Sequence, residues 1–201
     1  MKPRLMVKQK LTAYVNRYSI TAINEDGSEG SLVGMAQQKR FATREKVLFY
    51  TDETRNKVGY SFRAEKILDI HGKYLVEDAN ENLLGVFRKD FKASLLNSTW
   101  QILDKNEAVI FTIKESNQAL AIVRRIAGQI PFIGELVDLI VILLKYHFVV
   151  LDEQGNAVGR YEKTTLFRDQ YKLSLTDDAW ARIDSRVFCS VGVALDALQS
   201  R

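Results

Sequence analysis

The sequence predicts a mainly β protein: a closed antiparallel barrel of about twelve strands around a central, hydrophobic C-terminal helix, with one inserted helical hairpin. Three observations support this fold class. A hairpin pattern recurs along the chain, turn signals join successive hairpins, and residues 186–199 are apolar nearly all round at helical spacing. We therefore expect a single domain over residues 1–201.

The composition is that of an ordinary soluble domain with one core. Of the 201 residues, 46% are apolar and 27% are charged, which excludes a disordered tail or a fibre. The net charge of +4 permits acidic partners without requiring them. Cys189 is the one cysteine, so a disulfide framework and a cysteine-based zinc site are excluded. Too little apolar sequence follows Met1 for a signal peptide, so we expect a cytoplasmic protein, with peripheral attachment to the inner membrane surface left open.

An internal repeat defines the strands. The pattern Asp-x-x-x-Asn-x-(Val/Leu)-Gly occurs at residues 52–59, 78–85 and 152–159. Two degenerate copies cover residues 26–34, with one extra residue, and 104–110, with one residue fewer and no glycine. If the last residue of each copy is its anchor, the first four anchors are 25 or 26 residues apart, and 49 residues separate the last two. About 24 residues have therefore been inserted before the fifth copy.

Each copy predicts a strand, a tight turn and a returning strand. The β-forming residues 74–76 and 83–87, for example, flank a turn that begins at Asp78, whose carboxylate can cap it. Further turn signals join the hairpins into a meander. A sheet of this many strands has two exposed edges unless it closes into a barrel. A barrel this wide needs a filling, which the apolar C-terminal segment provides as a buried helix.

The returning strands and the last helix carry a resemblance to a known family. The returning strand reads hydrophobic-Gly-x-aromatic-x-basic, as at residues 84–89 and 158–163, and the chain ends on the apolar helix. These features resemble the LURP-one-related family of Tubby C-terminal-like domains, a superfamily that includes the phospholipid scramblases. The resemblance covers most of the chain except residues 117–146. It implies a twelve-stranded barrel around a central hydrophobic helix, and the similar Tubby domains are associated with phosphoinositide binding at membranes.

The residues that could carry out catalysis show no pattern of an active site. His71 lies in a predicted turn and His147 opens a predicted strand, and neither has a motif around it. Cys189 lies in the predicted core helix, where a cysteine is a small buried hydrophobe, so the scramblases' palmitoylated cysteines have no counterpart here. The sequence has no phosphate-binding glycine loop and no His-x-x-x-His pair. We therefore expect no enzyme, no cofactor and no metal site.

The repeat also gives one candidate binding constellation. Four residues after successive anchors stand Arg63, Lys89, Lys114 and Lys163, and Lys39 stands one step out of register in the first copy. Equivalent positions on successive hairpins predict that these cations follow one belt of the barrel. Two interpretations stay open: solvated charges on an outward face, or an anion-binding belt for phosphoinositide or phospholipid headgroups. Nucleic acid is disfavoured, because the neighbouring aromatic residues are expected in the core.

The inserted segment, residues 117–146, changes from strand spacing to helix spacing. It predicts a helical hairpin whose tip consists of Ile130, Pro131, Phe132 and Ile133. The second helix is more apolar than a surface hairpin requires, so something else has to bury it. The end of the barrel, a membrane interface, and a second copy or another protein are the three candidates.

These features predict a non-enzymatic binding module that engages anionic phospholipid or phosphoinositide membranes through the belt and the hairpin. The alternative is a structural or protein-interaction domain that oligomerises through residues 117–146. A third hypothesis, from the superfamily resemblance, is scramblase-like lipid handling.

Overall fold

Twelve antiparallel strands close into a barrel, as the sequence predicts. The computed structural model describes residues 1–10, 15–38, 45–66, 72–90, 98–104, 106–115, 147–165 and 170–198. Every strand pairs with the next one along the chain, and β1 pairs with β12 to close the sheet. The strands are β1 Lys2–Lys10, β2 Arg17–Ile23, β3 Glu29–Gln38, β4 Lys46–Tyr50, β5 Val58–Ala64, β6 Lys73–Asp78, β7 Leu83–Lys89, β8 Thr99–Leu103, β9 Val109–Glu115, β10 His147–Leu151, β11 Ala157–Lys163 and β12 Gln170–Leu175.

The strands alternate between an inward, apolar face and an outward face. In β12, Tyr171, Leu173 and Leu175 are buried in the core, whereas Gln170 before them and Lys172 between the first two are half-buried. This alternation follows from the two-residue period of a strand with one face against a core. Aromatic side chains fill much of the interior, where Phe62, Tyr74, Phe87 and Trp100 contact one another across four strands.

Aspartates close the hairpin turns through hydrogen bonds to the backbone. Oδ1 of Asp78 accepts from the N–H groups of Asn80 and Asn82, both at 2.8 Å, and Oδ2 accepts from the side-chain amide of Asn82 at 2.9 Å. These bonds favour the ionised carboxylate and lower the pKa of Asp78. Asp152 and Asn156 repeat the arrangement. The repeat is thus a turn signal, with the Asp and the Asn each supplying a specific bond.

The register of the strands corrects the alignment of the two degenerate copies. Val76 pairs with Gly85 in the third hairpin, and Ile102 pairs with Phe111 in the fourth, so Phe111 occupies the glycine position instead of Ile110. In the first hairpin the N–H of Asn24 donates to the carbonyl of Ser28, so the turn begins at Asn24 instead of Asp26. In the fourth copy Phe111 stands at the regular spacing, seven residues after Asp104, so only the missing glycine hid the alignment. In the first copy two register shifts between β2 and β3 add residues that spacing alone cannot assign.

Two short helices follow the barrel. Helix α1, Asp177–Ala181, is capped by the Thr176 hydroxyl, and helix α2, Ser185–Ala197, is capped by the Asp184 carboxylate. Ten of the 13 residues of α2 are buried, and eight of these ten belong to the same core cluster as the inward faces of the strands. The central helix predicted over 186–199 is therefore present. The predicted hairpin at 117–146 lies outside the described residues.

Helix α2 is held inside the barrel by packing and by a few polar contacts. A Cβ atom on Gly85 would lie 2.7 Å from Cγ2 of Val187, so this strand approaches the helix too closely for any side chain at that position. The buried hydroxyl of Tyr161 donates to the carbonyl of Phe188 at 2.8 Å. Near the C-terminal end of the helix, the carboxylate of Asp196 accepts from the Tyr18 hydroxyl at 2.6 Å.

Charging the central helix should unfold the barrel. Val191 is fully buried in α2, so Val191→Asp leaves a carboxylate without a partner in the core, at a cost of about 4 kcal/mol or more. We expect loss of soluble expression, or a strongly lowered Tm, measured by circular dichroism. Val33→Asp is the matched control, because Val33 is 37% exposed on β3 and should tolerate the charge to within about 1 kcal/mol. A Val191→Asp protein that melts like the wild type would contradict a helix inside the barrel.

The thiol of Cys189 should be unreactive in the native protein. Burial raises its pKa to about 12, so almost no thiolate is present at neutral pH, and the side chain has no exposed surface. We expect negligible labelling by a disulfide-exchange reagent at pH 8 and one equivalent after unfolding in guanidinium chloride. Rapid labelling under native conditions would show that α2 is accessible.

Candidate functional site

The two ends of the barrel differ in charge. We call the end that holds the five hairpin turns the turn end, and the opposite end, from which the longer connections leave, the connection end. The two outermost residues of each strand at the connection end include nine Lys or Arg and two Glu. The nine cations, called here the basic rim, are Lys10, Arg17, Lys46, Arg63, Lys73, Arg88, Lys89, Lys114 and Lys163.

The turn end has the opposite balance. The two outermost residues of each strand there include one cation, Lys2, and three acids, which are Glu29, Glu77 and Asp78. The turns add further carboxylates, since aspartates such as Asp52 and Asp152 cap them. Positive charge is therefore concentrated at the connection end and negative charge at the turn end.

The basic rim brings like charges directly opposite each other. The register pairs Lys10 with Arg17, Lys46 with Arg63, and Lys73 with Arg88 across neighbouring strands. All six residues are on the outward face: five of them stand next to a residue of the core cluster in their strand, and Lys10 shares the face of Arg17, its partner in the register. Like charges directly opposite in an antiparallel pair are destabilising. Three such pairs on one rim are a cost to the fold unless carboxylates or bound anions offset them.

Carboxylates offset the charge of two of these pairs. The guanidinium of Arg63 donates two hydrogen bonds to Glu77, from Nε at 2.9 Å and from Nη2 at 2.7 Å, which raises the pKa of Arg63. Lys73 forms ion pairs with Glu107 and Glu65, and the hydrogen bond to Glu107 is the main reason that the pKa of Lys73 is raised. These two cations are part of the structure of the outer wall.

The third pair, Lys10 and Arg17, has no such compensation. Within the described ranges neither side chain forms an ion pair, and Lys10 is exposed. Nε of Arg17 is buried and has no acceptor there. Lys8, the next outward residue on β1, is already paired with Glu29. The Lys10–Arg17 pair is therefore the part of the rim best prepared to receive an anion.

The structure places the sequence-predicted cations at one end but not on one face. Arg63 and Lys114 point outward, and Lys114 is exposed. Lys89 and Lys163 are half-buried and lie on the inward face, because they pair with the buried Trp100 and Tyr171. The ammonium of Lys89 lies 5.7 Å from the ring centroid of Trp100. Lys39 lies outside the described residues.

Bulges explain why equal spacing does not give a common face. In β7 the register shift lies before Gly85, whereas in β5 it falls at Gly59, because Phe49 pairs with Tyr60 and Tyr50 with Val58. Counting four residues from each glycine therefore ends on opposite faces. Lys114 points outward because Phe111, not Ile110, is the equivalent of the glycine.

Sequence reasoning missed five of the nine rim cations, namely Lys10, Arg17, Lys46, Lys73 and Arg88. All five stand at strand ends away from the hairpin turns, and none is at the position of the repeat that was searched. A list of the residues that open or close each strand at the connection end would have found them.

Other candidate chemistry is sparse in the part of the chain that the structure describes. His147 is the first residue of β10, and His71 and the predicted tip at Ile130, Pro131, Phe132 and Ile133 fall outside the described residues. No three His, Cys, Asp or Glu side chains within the described ranges are grouped so that they could hold a metal ion. None of the helices found in those ranges has the length and apolar character needed to cross a membrane.

Comparison with known proteins identifies the family. The model of the LURP-one-related family matches residues 33–196, which is most of the barrel and nearly all of α2. A comparison with curated proteins finds no match. The family is a Tubby-like barrel domain and is not a known enzyme family. The Tubby-like and scramblase superfamily is consistent with this match. A family match over this length, together with the twelve-stranded barrel around α2, shows that the chain belongs to the LURP-one-related family.

Proposed function

We propose that this protein is a non-enzymatic binding module that docks the connection end of its barrel on anionic phospholipid membranes. The observation that carries this proposal is the Lys10–Arg17 pair, in which two cations face each other and Nε of Arg17 is buried without an acceptor in the described part of the chain. A phosphate or carboxylate of a lipid headgroup supplies the missing acceptor and neutralises both charges. Guanidinium groups suit this role because their N–H groups match the geometry of phosphate oxygens.

The remaining rim extends the same surface. Each Lys or Arg near an anionic membrane surface contributes about 1 kcal/mol, and this contribution falls with added salt. Lys46 and Lys114 point outward at the same end as Lys10 and Arg17. A barrel that docks on its end presents these cations together, whereas one that docks on its side presents only a few of them. The charge distribution therefore favours end-on docking.

The position of the insertion agrees with end-on docking. β9 ends at Glu115 and β10 begins at His147, so the two strand ends that flank residues 116–146 both lie at the connection end. The sequence of this segment is rich in apolar residues, including Ile130, Phe132 and Ile133. Apolar residues next to a basic surface are the combination that peripheral membrane proteins use to bind an interface.

The filled interior favours binding over lipid transport. Helix α2 occupies the barrel, and its buried residues pack in one cluster with the inward faces of the strands. A lipid that passed through this interior would have to displace the helix. Scramblase-like handling therefore has less support than binding at the surface.

Removing the Lys10–Arg17 pair should weaken membrane binding selectively. We expect Lys10→Gln with Arg17→Gln to lose about 2 kcal/mol of binding to vesicles of phosphatidylcholine and phosphatidylserine, which is about thirtyfold in Kd. Co-sedimentation measures the affinity, and the fold should be retained because Lys10 is exposed and the two substitutions remove a pair of like charges that face each other.

The matched control is Lys2→Gln with Lys57→Gln, which removes the same charge from two exposed residues at the turn end. This variant should bind almost like the wild type. Equal weakening by both variants would mean that net charge, not the rim, drives binding. If the wild-type protein does not bind phosphatidylserine vesicles at low salt, the proposal is wrong.

The cations predicted from the repeat should differ in importance. Lys114 is exposed on the outward face, so Lys114→Gln should weaken vesicle binding about fivefold, which corresponds to about 1 kcal/mol. Lys89 is on the inward face over Trp100, so Lys89→Gln should have a smaller effect on binding. The same co-sedimentation assay compares the two single variants with a triple variant in which Lys89, Lys114 and Lys163 are all replaced by Gln. A larger effect for Lys89 than for Lys114 would indicate a ligand inside the mouth of the barrel.

A further inference from the structure

A small apolar cleft opens at the turn end, away from the basic rim. Its volume is about 240 Å³, below the range of about 300–1,000 Å³ that is typical of pockets for drug-sized ligands. The apolar side chains that line it are Leu83, Leu84, Val86, Leu103, Ile110 and Ile183. Leu83 is 49% exposed, so the apolar surface continues out of the cleft. The cleft has the size and the character to hold one aliphatic side chain of a partner.

Two of the three charged groups in the cleft are already engaged. The guanidinium of Arg182 donates two hydrogen bonds to Glu153, one of them at 2.9 Å, and lies 5.0 Å from the ring centroid of Phe111. The carboxylate of Asp184 accepts from Nε of Arg186 at 2.9 Å and from Nη2 at 2.6 Å. The third group, the carboxylate of Asp104, is only partly engaged.

Asp104 differs from Asp78 and Asp152, the equivalent aspartates of two other hairpins. Its Oδ1 accepts from the N–H groups of Asn106 at 2.8 Å and Ala108 at 2.9 Å, as Oδ1 does in those two turns. There Oδ2 accepts from an asparagine side chain, at 2.9 Å from Asn82 and at 3.0 Å from Asn156. Ala108 occupies the asparagine position here, so Oδ2 of Asp104 has no donor among the described residues. One carboxylate oxygen is thus left to accept a bond beside an apolar cleft.

We propose that this cleft binds a segment of a protein partner in which a leucine or similar aliphatic side chain stands next to a lysine or arginine. The aliphatic side chain fills the cleft between Leu84, Leu103 and Ile183, and the cation donates to Oδ2 of Asp104. Charge complementarity favours a basic segment over an acidic one, because carboxylates predominate at the turn end. The cleft is at the opposite end from the basic rim, so this site does not depend on membrane binding.

The test uses the full chain, labelled with ¹⁵N, and short blocked peptides. The probe is acetyl-Gly-Leu-Lys-Gly-amide, and the comparison peptides replace its lysine by glutamate or its leucine by serine. We expect saturable shifts of the amide signals of Leu83, Leu84 and Ala108 with the probe and much weaker binding of both comparison peptides. Equal binding of the lysine and glutamate peptides, or no shifts at these amides, would overturn the proposal.

Two substitutions test the role of the carboxylate without removing the turn. Asp104→Asn keeps an oxygen that can accept the backbone bonds but removes the charge, and Ala108→Asn supplies the side-chain donor that occupies Oδ2 in the hairpins of Asp78 and Asp152. Each should weaken peptide binding about tenfold, since a hydrogen bond to a charged group is lost. The matched controls are Asp52→Asn, in a turn that contributes no residue to the cleft, and Val33→Gln, an exposed apolar residue elsewhere. Variants that bind like the wild type would contradict the proposal.

Sedimentation velocity distinguishes a peptide partner from a second copy of the chain. We expect a monomer at all concentrations of the labelled protein, with and without the peptide. Concentration-dependent association that Asp104→Asn abolishes would mean that a second copy occupies the cleft, and the proposal of a separate partner would then be wrong. Vesicle binding of the same variants should be unchanged, so failure at this site is distinguishable from failure of membrane docking.

Discussion

The need to fill the interior of a twelve-stranded barrel determines the rest of this structure. A sheet of this width closes around more space than its own side chains occupy, and α2 fills that space with residues that are buried on almost every side. The helix in turn restricts the strands, because Gly85 has to lie against Val187 and the Tyr161 hydroxyl has to reach the carbonyl of Phe188. The inward faces of the strands and the small residues of α2 therefore have to fit each other. Side chains at the ends and on the outer wall are not restricted by this packing and can serve a function.

The chemistry of the turns explains part of the charge separation. A tight turn capped by a carboxylate requires an aspartate, and a meander places all such turns at one end, so the turn end accumulates negative charge for structural reasons. No comparable requirement puts lysine and arginine opposite each other at the connection end. The Lys10–Arg17 register pair opposes stability, and Arg63 and Lys73 need nearby carboxylates to offset their charge. An arrangement of like charges that lowers the stability of the fold is better explained by a role in binding than by a role in folding.

The barrel and its central helix could be predicted from sequence because their signals are local and repeated. Turn residues, β-forming flanks and an apolar helix each specify one element without knowledge of the others. The face of a given side chain could not be predicted, since it depends on where a bulge falls. A register shift before Gly85 and one at Gly59 give the same spacing but put Lys89 inside and Arg63 outside. Lys10 and Arg17 come to lie opposite each other only when β1 pairs with β2. Neither stands at the position of the repeat that was searched, so the repeat could not predict them.

A copy of the repeat that departs from the common pattern can indicate a binding site. In the copies at Asp78 and Asp152 the Asn side chain occupies Oδ2, so both oxygens of the carboxylate are used within the turn. Where the asparagine is replaced by Ala108, the turn keeps its backbone bonds but releases one oxygen beside an apolar cleft. The substitution does not destroy the turn, so it is tolerated by the fold while it changes what the surface can bind. A repeated scaffold with one altered copy can in this way have a site that the other copies lack.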